Sequence, residues 1–263
     1  MRVHVVSDVH GASTALARAA QDCDVFVCLG DLILFLDYDD PARGIFADLF
    51  GVDHARAYIA ARTANDFATA HDLSSAAWAG LGVSEPADRW RIMESMVRGQ
   101  YEELFEAMPT PALLTFGNVD LPAMWPEYLR PGHEVLDGAT VVVGGMTWGF
   151  VGGGLTSPMR TPYEIPPEAF AEKVAALGPV DVLFSHIPPA VPVLTYDVAA
   201  RRFERGSEAL LAYVREFQPR YHLFGHVHQP LVGRTRIGRT ECVNVGHFHG
   251  RRTPYAIDLE ASG

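Results

Sequence analysis

A chain of 263 residues, 48% hydrophobic and 20% charged, can bury a full core as one large domain or one domain plus an insertion, so disorder is not the expected state. The formal charge of -11 argues against a non-specific nucleic-acid binder, which would cluster Lys and Arg on phosphates, although bound divalent ions can reverse that sign locally. Cys23, Cys28 and Cys242 form neither an even set nor a CxxC pair, so they read as reduced core thiols of a cytoplasmic protein rather than a disulfide framework.

Met1 leads straight into the strand-like Arg2-Val3-His4-Val5-Val6, without the basic and apolar regions of a secretory signal. A strand over Val3 to Ser7 is expected to run into Asp8-Val9-His10-Gly11 and then a helix from about Thr14 to Gln21, with Ser13 as its N-cap. A second strand, Asp24 to Leu29, stops at Gly30-Asp31. From about Phe35 to Met108 strand signals give way to helical ones. Trp90, Met93, Val97, Tyr101, Leu104 and Met108 form one apolar stripe on a helix whose start is marked by Ser84 and Pro86. Asp53 to Ala70 and Leu73 to Ala79 are weaker helix candidates, and the whole segment, about 36–108, reads as a helical insertion in a single domain spanning 1–263.

Strands resume at Ala112 to Phe116 before Gly117-Asn118, at Val180 to Phe184 before Ser185-His186, and at Tyr221 to Phe224 before Gly225-His226. Hairpins are expected over Val135 to Phe150, turning at Asp137-Gly138, and over Leu231 to Val245, turning at Ile237-Gly238. The uncharged stretch Ala139 to Met159 is long enough for a membrane span, but six glycines break it into sheet and loop, so no membrane association is expected.

Five apolar runs thus end in metal-capable residues, and strands of a layered α/β fold deliver such ends to one edge. Asp8 and His10 occupy alternate positions, so both can point the same way from an extended strand end, and His226 and His228 repeat that spacing. Asp31 can bridge two cations with its two oxygens, Asn118 offers a neutral carbonyl oxygen, and His186 adds another imidazole.

The ordered set Asp8-Val9-His10, Gly30-Asp31, Gly117-Asn118, His186 and Gly225-His226-Val227-His228 resembles the calcineurin-like metallophosphoesterase superfamily, with motifs covering residues 8 to 228. The resemblance implies an α/β fold, a four-layer αββα sandwich of two facing mixed sheets. It also implies that Asp8, His10, Asp31 and His228 hold one divalent ion, while Asp31, Asn118, His186 and His226 hold a second, with Asp31 as the bridge. Two cations roughly 3.5–4 Å apart lower the pKa of a shared water to give hydroxide, and clamp the phosphoryl oxygens during in-line displacement. An all N/O ligand set fits Mn, Fe, Co or Zn and disfavours a thiolate zinc site.

One departure bears on the substrate. Many superfamily members read GNHE or GNHD, whereas here Gly117-Asn118-Val119-Asp120 resembles a GN-x-D branch of small bacterial and archaeal phosphodiesterases. Loss of a positioned acid, which contributes about 10²- to 10⁴-fold, favours phosphodiesters or activated esters over alkyl monoesters. His247 or His249 is a candidate replacement donor, Asp120 a candidate carboxylate orienting His10 or His228, and Arg160 a candidate substrate-phosphate contact. The expected partner is a small-molecule phosphate ester. The insertion holds 13 acidic and 6 basic residues from Asp37 to Met108, a poor grip for a long polyanion, and is read either as a substrate cap or as a homo-oligomer interface. A phosphomonoesterase, a nuclease and a non-catalytic scaffold on the same fold stand as alternatives.

Overall fold

A computed structural model describes residues 1–260. The chain divides into two compact units, one of Met1–Leu32 with Leu104 onward, the other of Ile33–Glu103.

The first unit contains two large mixed sheets. In the five-stranded sheet, Arg2–Val6 lies between Val25–Cys28, in parallel, and Tyr255–Asp258, in antiparallel. Ala112–Leu114 and His133–Val135 extend the parallel side. The six-stranded sheet runs Arg234–Ile237, Thr240–Asn244, Tyr221–Phe224, Val182–Ser185, Met146–Val151 and Ala139–Val143, parallel at its centre and antiparallel at both edges.

Alternation explains how these sheets pack. Val3, Val5, Val27 and Leu29 of one sheet share a core with Trp148, Phe150, Val182, Phe184, Leu223 and Val243 of the other, with Phe150 stacked on Phe184 at 4.8 Å. The intervening residues Val151, Leu183, Phe224 and Cys242 point the opposite way, where Phe170 and Val174 of the helix Pro167–Ala175 and Leu210, Tyr213 and Val214 of the helix Glu208–Phe217 cover them. Each central strand is therefore buried on both faces, which is why it reads as a continuous apolar run. The result is the sandwich the resemblance implied.

Two expectations within the first unit need correction. The first helix is the single turn Ser13–Leu16, N-capped by Ala12 without a side-chain bond. Beyond it the chain continues in i→i−3 turns, Arg18 to Ala15 and Ala19 to Leu16, and the Ala19 carbonyl is taken by His4 Nδ1 at 2.9 Å. The first hairpin turns at Gly144-Gly145, not at Asp137-Gly138. Both central glycines have positive φ, 57° and 78°, the backbone that joins two twisted strands most closely.

The second unit is helical: Ile45–Phe50, Val52–Thr63, Phe67–Gly80 and the helix Pro86–Ala107 as far as Glu103. Asp66 N-caps the third by accepting from the Thr69 amide at 3.0 Å, so the stretch expected as one helix over Asp53 to Ala70 is broken there. Its core is aromatic, with Phe46 stacked on Tyr58 at 4.5 Å and Phe50 edge-on to Trp78 at 4.9 Å. No helix among the described residues is long and apolar enough to cross a membrane.

Candidate metal centre

The loops after five strands converge at one edge of the first unit. Four candidate ligands there adopt left-handed backbone: Asp8 (φ 57°), His10 (φ 38°), Asp31 (φ 53°) and His226 (φ 68°). Non-glycine residues pay for this conformation and hold it where surrounding structure over-determines it, commonly at functional sites. The glycines before two ligands have a separate reason. A Cβ at Gly117 would lie 2.0 Å from Asp31 Oδ1, and one at Gly225 would lie 2.0 Å from Ser7 Oγ and 2.5 Å from Asp8 Oδ2. Only a bare backbone lets these loops approach so closely.

Three groups of ligand atoms lie within 4.8 Å of one another: Asp8, His10 and Asp31; Asp31, His186 and His226; and His10, His228 and His247. Asp31 belongs to two of them. Its Oδ2 lies 3.4 Å from His186 Nε2 and 3.9 Å from His10 Nε2, while Oδ1 accepts from the Val119 amide at 2.9 Å. Asp8 Oδ2 accepts from the His226 amide at 2.9 Å, and Oδ1 lies 3.4 Å from His228 Nε2. Asp8 Oδ1 is buried without a hydrogen-bond partner among the described residues.

His186 shows what the cluster is suited to hold. Its Nδ1 lies 3.0 Å from the Leu29 carbonyl, which can only accept, so that nitrogen carries the proton. The neutral ring then presents the Nε2 lone pair to Asn118 Oδ1 at 2.9 Å and to Asp31 Oδ2. Three acceptors facing one another are stable only around a positive charge. Without a cation the proton supplies it: burial disfavours the His186 imidazolium, but the carboxylates of Asp31, Asp8 and Asp120 outweigh burial and raise it to about 9. Burial likewise pushes the Asp8 carboxyl upward, and His228, His186 and His10 overcome it, holding Asp8 well below the usual range. A donor set of carboxylate, amide and imidazole groups, with an orphaned buried carboxylate oxygen, fits divalent cations.

The remaining candidates separate. His247 lies face to face with His228, with centroids 3.9 Å apart and planes 6° from parallel. Parallel stacked rings cannot both contain the same ion in their planes, so His247, though grouped with His10 and His228, does not share an in-plane ion with His228. Burial and the neighbouring His228 and His10 depress it to about 2. His249 is buried with its Nδ1 2.6 Å from the His10 carbonyl, which braces the Asp8-Val9-His10 turn. Arg160 is exposed in a left-handed turn (φ 51°), outside these ligand groups.

Asp120 does not orient His10 or His228 through its carboxylate bonds. Its oxygens instead accept three backbone amides, Asp31 at 2.8 Å, Leu32 at 3.0 Å and Gly117 at 2.7 Å, tying the Gly30-Asp31 loop to the Gly117-Asn118 loop. Burial and the Asp31 charge push its carboxyl up to about 7 against the pull of those amides. Asn244, which the sequence reading passed over, does the same for the His226 loop. Its Nδ2 donates to the Val227 carbonyl at 2.9 Å and its Oδ1 accepts from the Gly246 amide at 2.8 Å. A polar residue ending an otherwise buried strand was the available signal.

Comparison with known proteins gives a family match and two structural alignments. The family model described as calcineurin-like phosphoesterase matches residues 87–230, a span that contains Asn118, His186, His226 and His228 and begins after Asp8, His10 and Asp31. One solved crystal structure aligns over 94% of this chain and 91% of its own at 16% identity, with a TM-score of 0.56. GAP50, the anchor in the inner membrane complex of Plasmodium, aligns over 94% of this chain and 71% of its own at 11% identity and a TM-score of 0.41. No curated protein sequence matches the chain.

Proposed function

The chain belongs to the calcineurin-like phosphoesterase family, whose chemistry is metal-dependent phosphoester hydrolysis, and from that premise we propose a two-ion phosphodiesterase acting on a small molecule. The observation that carries the two-ion reading is the position of Asp31 Oδ2 between His186 Nε2 and His10 Nε2, which makes it the shared carboxylate of two ligand groups. Asp8, His10 and His228 complete the first group. Asn118, His186 and His226 complete the second. Divalent ions such as Mn, Fe, Co or Zn, when bound, supply water activation and electrostatic clamping of the phosphoryl oxygens.

The chain's own contribution is orientation. The Leu29 carbonyl fixes the His186 tautomer, and the Val119 amide holds one Asp31 oxygen so that the other faces the ligand groups. Val119 also supports the diester preference. Its partly buried aliphatic side chain follows Asn118 where a positioned acid would protonate a leaving alkoxide, so substrates whose leaving group departs without help are favoured. Comparing Mn-loaded protein on bis-aryl phosphate and an alkyl monophosphate tests this. Faster diester turnover is expected, and faster alkyl monoester turnover would overturn the preference.

A further inference from the structure

We infer that Thr161 and Glu164 are positioning residues that fix the amide of Asn118, so that its oxygen, not its nitrogen, faces His186 and Asp31. The inference rests on the reading of Asn118 as a metal ligand. An asparagine amide is nearly symmetric in shape, and a flipped Asn118 would present NH₂ to the ligand groups and repel a cation. Something must break that symmetry.

A chain of donors with one permitted direction does so. The Glu164 carboxylate only accepts, and it receives the Ser157 amide at 2.7 Å, the Ser157 hydroxyl at 2.6 Å and the Thr161 hydroxyl at 2.8 Å. Thr161 has a single hydroxyl proton, and Glu164 takes it. The Thr161 oxygen is therefore left with lone pairs and can only accept from Asn118, whose Nδ2 stands 2.9 Å away. With Nδ2 so committed, Oδ1 points to His186 Nε2 at 2.9 Å.

The surrounding loop is built to hold this chain against Asn118. The Tyr163 amide donates to the Asn118 carbonyl at 2.8 Å, and Gly154–Leu155 pairs with Glu164–Ile165. A Cβ at Gly154 would lie 2.7 Å from Asn118 Cβ, so the loop needs glycine to approach this closely. At the loop's base the Gly152 amide donates to Asp137, which also accepts from the Tyr163 hydroxyl at 2.8 Å. The triple glycine Gly152-Gly153-Gly154 thus packs as a close collar against Phe116, Asn118 and Tyr163.

The test is a Co²⁺ titration of the metal-stripped protein followed by visible absorbance, with far-UV circular dichroism confirming the fold of each variant. Thr161→Val keeps the shape and removes the acceptor, and should weaken the second, weaker Co²⁺ about 10- to 100-fold. Thr161→Ser should restore it. Asn118→Ala should lose that ion, and adding Thr161→Val to it should cost nothing more. Wild-type binding of both ions by Thr161→Val, while Asn118→Ala loses one, would overturn the clamp alone. Two tightly bound ions in Asn118→Ala would overturn the metal-ligand reading itself. Should Thr161→Val fail to fold, Glu164→Leu takes its place, since it removes the acceptor that claims the Thr161 hydroxyl proton and leaves Thr161 free to donate to a flipped Asn118. A weakened second Co²⁺ is again expected, and wild-type affinity would overturn the clamp.

Discussion

Replacing Asp120 separates a tie between loops from a residue acting through a histidine. Its carboxylate is fully buried and accepts three backbone amides at 2.7–3.0 Å. Asp120→Asn can keep the two bonds to Oδ2, from Asp31 and Gly117, but must turn NH₂ toward the Leu32 amide. One buried donor left unsatisfied costs about 1–3 kcal/mol. Asp120→Ala strands all three amides. At about 1–3 kcal/mol for each stranded amide, the loss should be about 3 kcal/mol or more. That is a large share of the roughly 5–15 kcal/mol that holds a domain folded. Urea unfolding in the presence of chelator measures the difference free of metal linkage, provided the m-values agree. A loss below about 1 kcal/mol for Asp120→Ala would refute the tie, because the amides would then have found other partners.

Other consequences follow from the same loops. Gly225→Ala places a methyl 2.0 Å from Ser7 Oγ and 2.5 Å from Asp8 Oδ2. It should cost about 1–3 kcal/mol by overpacking and weaken metal binding. Thermal melts with and without Mn²⁺ check both, and an unchanged pair of melts would contradict the close approach. In the metal-free protein His186 is raised to about 9, so its protonation contributes stability that is fully present below the unfolded value near 6.5 and is lost as pH rises through about 9. Metal displaces that proton, so metal affinity and the metal-dependent gain in melting temperature should both rise between about pH 6.5 and 9. Calorimetry in buffers of different ionisation enthalpy should record proton release, and a pH-independent affinity would contradict it.

Much of the fold and of the candidate site is legible in the sequence because both depend on the same strands. Val182 and Phe184 face one core and Leu183 the other, so the strand appears as an unbroken apolar run, and its end at Ser185-His186 is easy to locate. Turns were harder. Asp137-Gly138 and Gly144-Gly145 both carry a hairpin signal, and only the pairing of Val143 with Met146 chooses between them. Tyr255–Asp258 escaped notice because it is short and at most half-buried, yet its pairing with Arg2–Val6 completes an edge of the first sheet. The supporting shell was the least legible part. Thr161 lies 43 residues from Asn118 and Asp120 lies 89 from the Asp31 amide, so neither bond leaves a local pattern. Asp120 illustrates the difficulty: its position beside Asn118 suggested a partner for histidine, and folding gave it backbone amides instead.

The two-ion reading is tested most directly by bis-aryl phosphate hydrolysis as metal-stripped protein is titrated with Mn²⁺. Turnover should be absent without metal and should appear as the second equivalent of Mn²⁺ binds, because Asp31 serves both ligand groups and neither alone completes the site. Activity that persists after chelation, or that saturates at the first equivalent, would contradict it.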